Sequence, residues 1–199
     1  MARPREFDEA AVLDAAVQCF WNNGFEATSV RELAASMGIN GASLYNAFGD
    51  KRSLYERALD HYVDTTVAER MARCETMAPR DGIAAFFREV VERSLADPHH
   101  RGCLLVNAAL DVAPHDAGFQ RQVDAVLARI EGFFGRLVAA GQRDGTIAAT
   151  LPAAELARHL LGVLMGVRVL ARVRPERRLL EGVVMPALAL LDCRGEATR

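Results

Sequence analysis

Apolar residues recur along this chain at spacings of three and four, with almost no alternation of period two. The pattern predicts helices and no sheet. Val12, Leu13, Ala16, Cys19 and Phe20 mark the inner face of a first helix. Asp8 opens it as N-cap, with Phe7 as a staple residue before it, and Gly24 closes it. Thr28-Ser29 then lead into VRELAAS, where Ser29 and Glu32 stand three apart in the capping-box pattern and Leu33 and Ala34 face inward. Gly38 supplies a left-handed corner. Asn40 caps a very short third helix whose only inward pair is Leu44 and Phe48, four apart. Gly49 stops it. Asp50 caps a longer fourth helix, predicted from Lys51 to about Arg73, with Leu54, Ala58, Tyr62 and Thr65 turned inward.

After MAPRDG the composition becomes more apolar. Asp81 is read as the start of a helix to about Ala96, and a short one runs from Cys103 to Val112. A long helix follows from Asp116 to about Arg143, carrying Phe119, Val123, Ile130, Phe133 and Phe134. Pro152 stands in the first turn of the next helix, which runs to about Val173, and Pro175-Glu176 open the last. The expectation is an all-α protein of about nine helices. The expected division is residues 1–50 with three helices, a linking helix over 51–73, and a larger helical part over 74–199.

Half the residues are apolar, enough for a real core, and the net charge is −2. That balance argues against a histone-like or RNA-coating protein but leaves room for a local nucleic-acid reader. All but one of the 24 basic residues are arginine, Lys51 being the exception. The four cysteines (Cys19, Cys74, Cys103, Cys193) form no CxxC pair, so no zinc site and no metal or other cofactor is expected. The opening MARPREFDEAAV carries charges where a secretory leader would be apolar. Arg168 and Arg172 interrupt the best run of apolar residues before it reaches the ~18 of a membrane span. A cytoplasmic protein with reduced thiols and no membrane partner is expected.

Two short helices joined by a glycine corner and braced by a longer first helix describe a helix-turn-helix, with the third helix as the recognition helix. Here the resemblance to a known family becomes specific. GFEATSVRELAASMGINGASLYNAFGDKRSLYERAL, residues 24 to 59, resembles the DNA-binding region of the tetracycline-repressor-like (TetR/AcrR) bacterial regulators. The matching positions are Gly24-Phe25, Thr28, Val30, Leu33-Ala34, Gly38-Ile39, Leu44-Tyr45, Phe48 and Lys51 with Leu54. The resemblance implies that Tyr45, and Thr28 or Ser29, hydrogen-bond DNA phosphates. It implies that Lys51 meets a phosphate from the start of helix four. Arg31 is the candidate for guanine readout from helix two; Ser43 and Asn46 are the candidates on helix three. Gly41 and Ala42 let the backbone approach the duplex. With Ala47 they are smaller than the polar groups some members carry there, which shifts readout towards Arg31 and Asn46.

Residues 1–60 carry six basic and nine acidic groups, so the basic ones must gather on one face. Arg3 and Arg5, either side of Pro4, are read either as an arm reaching a neighbouring groove or as a tail. A two-fold dimer would present two recognition helices roughly 34–36 Å apart. The homodimer surface is assigned to residues 156–173 and 179–191, where Gly162 and Gly166 permit close helix approach. The family resemblance also implies an effector pocket among the middle helices. Phe86, Phe87, Phe119, Phe133, Phe134, Leu164 and Met165 are candidates for its apolar wall, and Asn107, His115, His159 and Arg168 for its polar groups. Cys103, in HHRGCLLV, follows Arg101 and two histidines at a predicted helix start, a setting that favours thiolate; it resembles sensor cysteines of some family members. The bland alternative is a small buried apolar residue.

The expected function is a repressor that binds a palindromic double-stranded operator as a dimer and is released by an unidentified small molecule or by modification of Cys103. The rival is a small-molecule-metabolising helical enzyme without DNA binding, for which no nucleophile elbow, P-loop, Rossmann glycines or HExxH is present. A third possibility is an interaction module that binds no DNA.

Overall fold

Five of the helices begin where a side chain (Asp8, Ser29, Asn40, Asp50 or Asp116) takes up orphaned N–H groups of the first turn. The computed structural model describes residues 8–193 and, among them, nine α-helices and no strand. α1 (Glu9–Asn23) starts on the Asp8 carboxylate, which accepts from Ala10 N and Ala11 N, and ends at Gly24 with φ 80°. α2 (Val30–Ser36) carries the full capping box. Glu32 N donates to Ser29 Oγ at 3.2 Å, and Ser29 N donates to Glu32 Oε2 at 2.8 Å. α3 (Gly41–Phe48) is capped by Asn40, and α4 by Asp50, which accepts from Ser53 N at 2.7 Å. The later helices are α5 (Pro79–Ala96), α6 (Leu104–Asp111), α7 (Ala117–Asp144), α8 (Ala153–Val173) and α9 (Arg177–Ala189). A 3-10 turn, Ala113–His115, joins α6 to α7.

Two predicted starts shift. α5 begins at Pro79, whose missing N–H costs nothing in a first turn, and not at Asp81. Pro152 is the residue before α8 and not part of its first turn.

The largest departure lies in α4. It runs as α-helix over Lys51–Tyr62, widens into a π-helical stretch over Val63–Ala68, and returns to α-helix over Glu69–Glu75. A π turn inserts one residue into the helical register. The inward series Leu54, Ala58, Tyr62 therefore continues as Val63, Val67 and Met71, while Thr65, expected inside, is exposed. The same shift carries Arg70 into the interior, where only 1% of its surface is exposed.

The helix-turn-helix has its own small core. Leu33, Leu44, Leu54 and Ala58 are fully buried, with Phe20 1% exposed beside them. Burying the Leu44 and Phe48 side chains stabilises the recognition helix by about 1.5–3 kcal/mol each. α1 is tied to α4 by the Arg57–Glu9 and His61–Asp14 pairs. In the C-terminal part, Phe86 and Phe87 of α5 pack against Phe133 and Phe134 of α7, with ring centroids 5.2–5.6 Å apart.

The two parts meet at a joint the sequence did not mark. Arg52 of α4 donates two hydrogen bonds, both 2.8 Å, to Asp116, which also caps α7 through Gly118 N and Phe119 N. Phe119 stacks edge-on to Tyr55 at 5.3 Å and Phe25 at 5.8 Å. Gln122 Nε2 reaches Glu56 O and Asp60 Oδ1 across the same seam.

Candidate nucleic-acid interface

α3 presents one buried edge and one open face. Leu44 and Phe48 point inward, while Ala42, Tyr45 and Asn46 are exposed and Gly41, Ser43 and Ala47 half-buried. Tyr45 is 53% exposed, an unusual position for a ring of this size on an eight-residue helix. Its hydroxyl has no hydrogen-bond partner among the described residues. Gly49, with φ 81°, ends the helix so that Asp50 can cap α4 at once. Arg31 is exposed on α2 with no ion-pair partner among the described residues, leaving its guanidinium free to meet an acceptor.

Three predicted contact residues sit differently from expectation. Thr28 is 1% exposed and donates its hydroxyl to Gly24 O at 2.6 Å, so its side chain braces the α1–α2 turn and does not face outward. Ser29 is exposed, but its hydroxyl is engaged with Glu32 Oε2 at 2.7 Å. Lys51 folds back onto the same turn. Its Nζ donates to Phe25 O at 3.0 Å and Glu26 O at 3.4 Å and lies 4.5 Å from the Phe25 ring centroid. Its ammonium therefore positions the loop ahead of α2. The Arg3–Arg5 arm and the Phe7 staple lie outside the described residues.

This geometry, two short capped helices with an exposed tyrosine on the second, coincides with a family match. The family described as bacterial regulatory proteins, tetR family, matches residues 12–58, and a tetracyclin repressor-like C-terminal domain matches residues 79–184. An uncharacterised HTH-type transcriptional regulator of Bacillus subtilis, YezE, is 30% identical over 96% of this chain and all of its own length. The chain belongs to the TetR family. It is a helix-turn-helix transcriptional regulator. The Escherichia coli transcriptional repressor ComR is 27% identical, over 85% of this chain and 82% of its own. Among solved structures, a cysteine mutant of the TetR-family regulator CifR complexed with 26-bp double-strand operator DNA is 36% identical. It superposes with a TM-score of 0.83 over 94% of this chain and 98% of its own.

In the C-terminal part of this TetR-family chain, the expected pocket residues scatter. Phe86, Phe87, Phe133 and Phe134 are at most 1% exposed and packed on one another; Phe87 also backs a cleft of about 310 Å³ between α5 and α9, and Phe86 edges a void of about 20 Å³. Phe119 belongs to the joint with α4, and His159 and His115 are exposed. Asn107 is held between Arg101 O at 3.0 Å and Arg172 Nη1 at 3.1 Å. Cys103, Leu164, Met165 and Arg168 do converge, around a void of about 20 Å³ shared with Arg70 and Ile130.

Arg70 and Arg168 also wall a larger cleft of about 270 Å³, together with Trp21 of α1, Tyr62 and Thr66 of α4, and the loop bearing Asp97 and Arg101. Cys103 is 5% exposed and precedes α6 as its N-cap; its Sγ accepts from the Tyr62 hydroxyl at 3.5 Å. Burial pushes the Tyr62 phenol far above its ordinary 10.0, so it remains a donor. Periodicity could not have found Arg70 or Trp21. The first is placed by the π insertion, and the second faces away from the core stripe of α1. No group of three metal-ligating side chains occurs among the described residues. No helix there is long and apolar enough to cross a membrane.

Proposed function

We propose that this regulator binds a two-fold operator as a homodimer and is released from it when a small molecule occupies the cleft between α1, α4 and α8. The observation that carries this reading is α4 itself. Its first turn holds the helix-turn-helix through Lys51, its middle lines the cleft through Tyr62, Thr66 and Arg70, and its flank docks on α7 through Arg52. A ligand favouring one arrangement of these walls would shift the population of recognition-helix spacings. The dimer face is assigned to α8 and α9. Val169, Val173, Met185 and Leu190 are exposed there, and a Cβ added at Gly162 or Gly166 would meet no neighbouring atom within 4 Å.

Tyr45 is assigned to phosphate, Arg31, Ser43 and Asn46 to base edges, and Gly41 and Ala42 to close backbone approach. Repression is the direction favoured by the repressor ComR. The 26-bp operator bound by CifR favours a site of comparable length here. Modification of Cys103 is a second release route, favoured by its place on the void beside Arg70 and Arg168. The test is a binding titration of the purified dimer against DNA flanking its own coding gene. Affinity should be sequence-dependent and fall steeply with salt. Flat, salt-independent affinity would overturn the reading.

A further inference from the structure

The cleft walled by α1, α4 and α8 contains more buried donors than acceptors. Arg70 is 1% and Arg168 7% exposed, and both line it. Arg70 Nε forms an ion pair with Glu89 Oε1 at 3.0 Å, but off the line of its N–H bond, so its charge is partnered while neither Nε nor Nη2 has a well-directed acceptor. Glu89 is in any case shared, taking two hydrogen bonds from Arg73 and lying 3.5 Å from Arg93. Among the described residues Arg168 donates to the Ser94 hydroxyl alone, at 3.2 Å. Asp97, the acidic residue of the cleft wall, is paired with Arg101 at 3.1 Å. The indole Nε1 of Trp21, on the opposite wall, is also buried without an acceptor.

Orphaned buried polar groups are costly, and here every orphan on the cleft wall is a donor. The cleft is therefore suited to an anion, and Trp21, which also carries the Arg101 guanidinium 4.4 Å from its ring centroid, stands with Tyr62 and Pro98 as the wall for an apolar body. We infer that the effector is a small organic carboxylate, with its head on Arg70 and Arg168 and a one-ring or short-chain body against Trp21. A volume of about 270 Å³ sets that size. A planar guanidinium matches a carboxylate through paired N–H bonds, which a neutral ligand of the same shape cannot use. The inference rests on the reading that this cleft is the effector site and adds the ligand's chemical class.

Trp21 is the chain's single tryptophan, so its fluorescence reports occupancy of this cleft. The probes are hexanoate and cyclohexanecarboxylate, each compared with its primary amide at equal ionic strength. Saturable fluorescence changes are expected with both carboxylates, at affinities at least tenfold above those of the amides. Arg168→Gln and Arg70→Met should each weaken carboxylate binding at least tenfold and leave amide binding unchanged; melting curves establish that the variants fold. Equal binding of acid and amide, no response to either acid, or unchanged carboxylate affinity in a folded Arg168→Gln protein would overturn the inference. The comparison in the wild type decides even where the variants fail to fold. DNA titration separates the two readings. Carboxylates that bind without affecting DNA leave the anion site standing and remove the effector role. Amides that release DNA where carboxylates do not keep the effector role and remove the anion site.

Discussion

Replacing Tyr45 by phenylalanine removes one hydroxyl and nothing else. In the free protein that hydroxyl has no hydrogen-bond partner among the described residues, and the side chain is 53% exposed. Folding stability should therefore be unchanged, with a melting temperature within about 1 °C of wild type, as surface substitutions away from special features stay within ~0.5 kcal/mol. On DNA the hydroxyl would donate to a phosphate oxygen. A hydrogen bond to a charged acceptor contributes about 1.5–3 kcal/mol. Two subunits lose two such bonds, so the dimer loses about 3 kcal/mol at the lower end, on the order of 100-fold in Kd. The assay is titration of labelled operator and of single-base variants over a salt series. All sites should weaken by the same factor, because a phosphate contact carries no sequence information. The slope against salt should not change, because a neutral donor releases no counterion. Unchanged affinity would show that Tyr45 does not touch the duplex. A melting temperature lowered by several degrees would show that the ring's role is structural.

Asn46→Ala should instead change which base pairs are tolerated, with discrimination at one position per half-site falling by about 1–3 kcal/mol, measured by the same variant panel. Gly166→Leu adds a side chain whose Cβ meets no neighbouring atom within 4 Å, so the fold should persist while light scattering shows monomer in place of dimer. Cys103→Ser should abolish any loss of DNA binding caused by thiol-reactive electrophiles; an unchanged response would exclude this cysteine as the sensor. Asp116→Asn tests the α4–α7 joint. The Arg52 hydrogen bonds hold the Asp116 carboxyl well below its ordinary 3.8. A depressed carboxylate contributes stability that is complete above its unfolded value and lost as pH falls through the folded one. The difference in melting temperature between wild type and Asp116→Asn should thus be constant from pH 8 down to about pH 4 and narrow only below it. Narrowing between pH 8 and 5 would refute the assignment.

Most of the helix-turn-helix was legible in the sequence because its determinants are local. Asp8, Ser29 with Glu32, Asn40 and Asp50 each cap within three residues of themselves, and the structure realises all four. Leu44 and Phe48 needed only the four-residue spacing. The region assigned to an effector was poorly legible because its determinants are not local. The four phenylalanines carry the same periodic signal whether they line a cavity or fill a core, and here Phe133 and Phe134 fill it while Phe86 and Phe87 also edge open space. Arg70 could not be placed from spacing, since the one-residue π insertion after Tyr62 turns the inner face by about 100° over the rest of α4. Lys51 was correctly located at the start of α4, but which carbonyls its long side chain would reach depends on how the α1–α2 turn folds back.

The π insertion also bears on how occupancy could reach the DNA. Moving a regulator from 1% to 99% released requires a ligand that binds the released arrangement about 10⁴-fold more tightly, roughly 5.5 kcal/mol. Apolar contact with a ~270 Å³ cleft discriminates little between two arrangements of the same walls, because it survives small shifts. Hydrogen bonds between two arginines and one anionic head do not survive them, and at about 1.5–3 kcal/mol each they span the required range. Arg70 stands on α4 just beyond the π turn, whereas Arg168 stands on α8 and Trp21 on α1. A head group that engages both arginines therefore fixes α4 against α8, and its body presses α1. The widened turn at Val63–Ala68 is the place where α4 can change register at least cost, because its i→i+5 bonds are already displaced from the α ladder. If the cleft is the effector site as proposed, discrimination would come from the charged pair and displacement from the insertion.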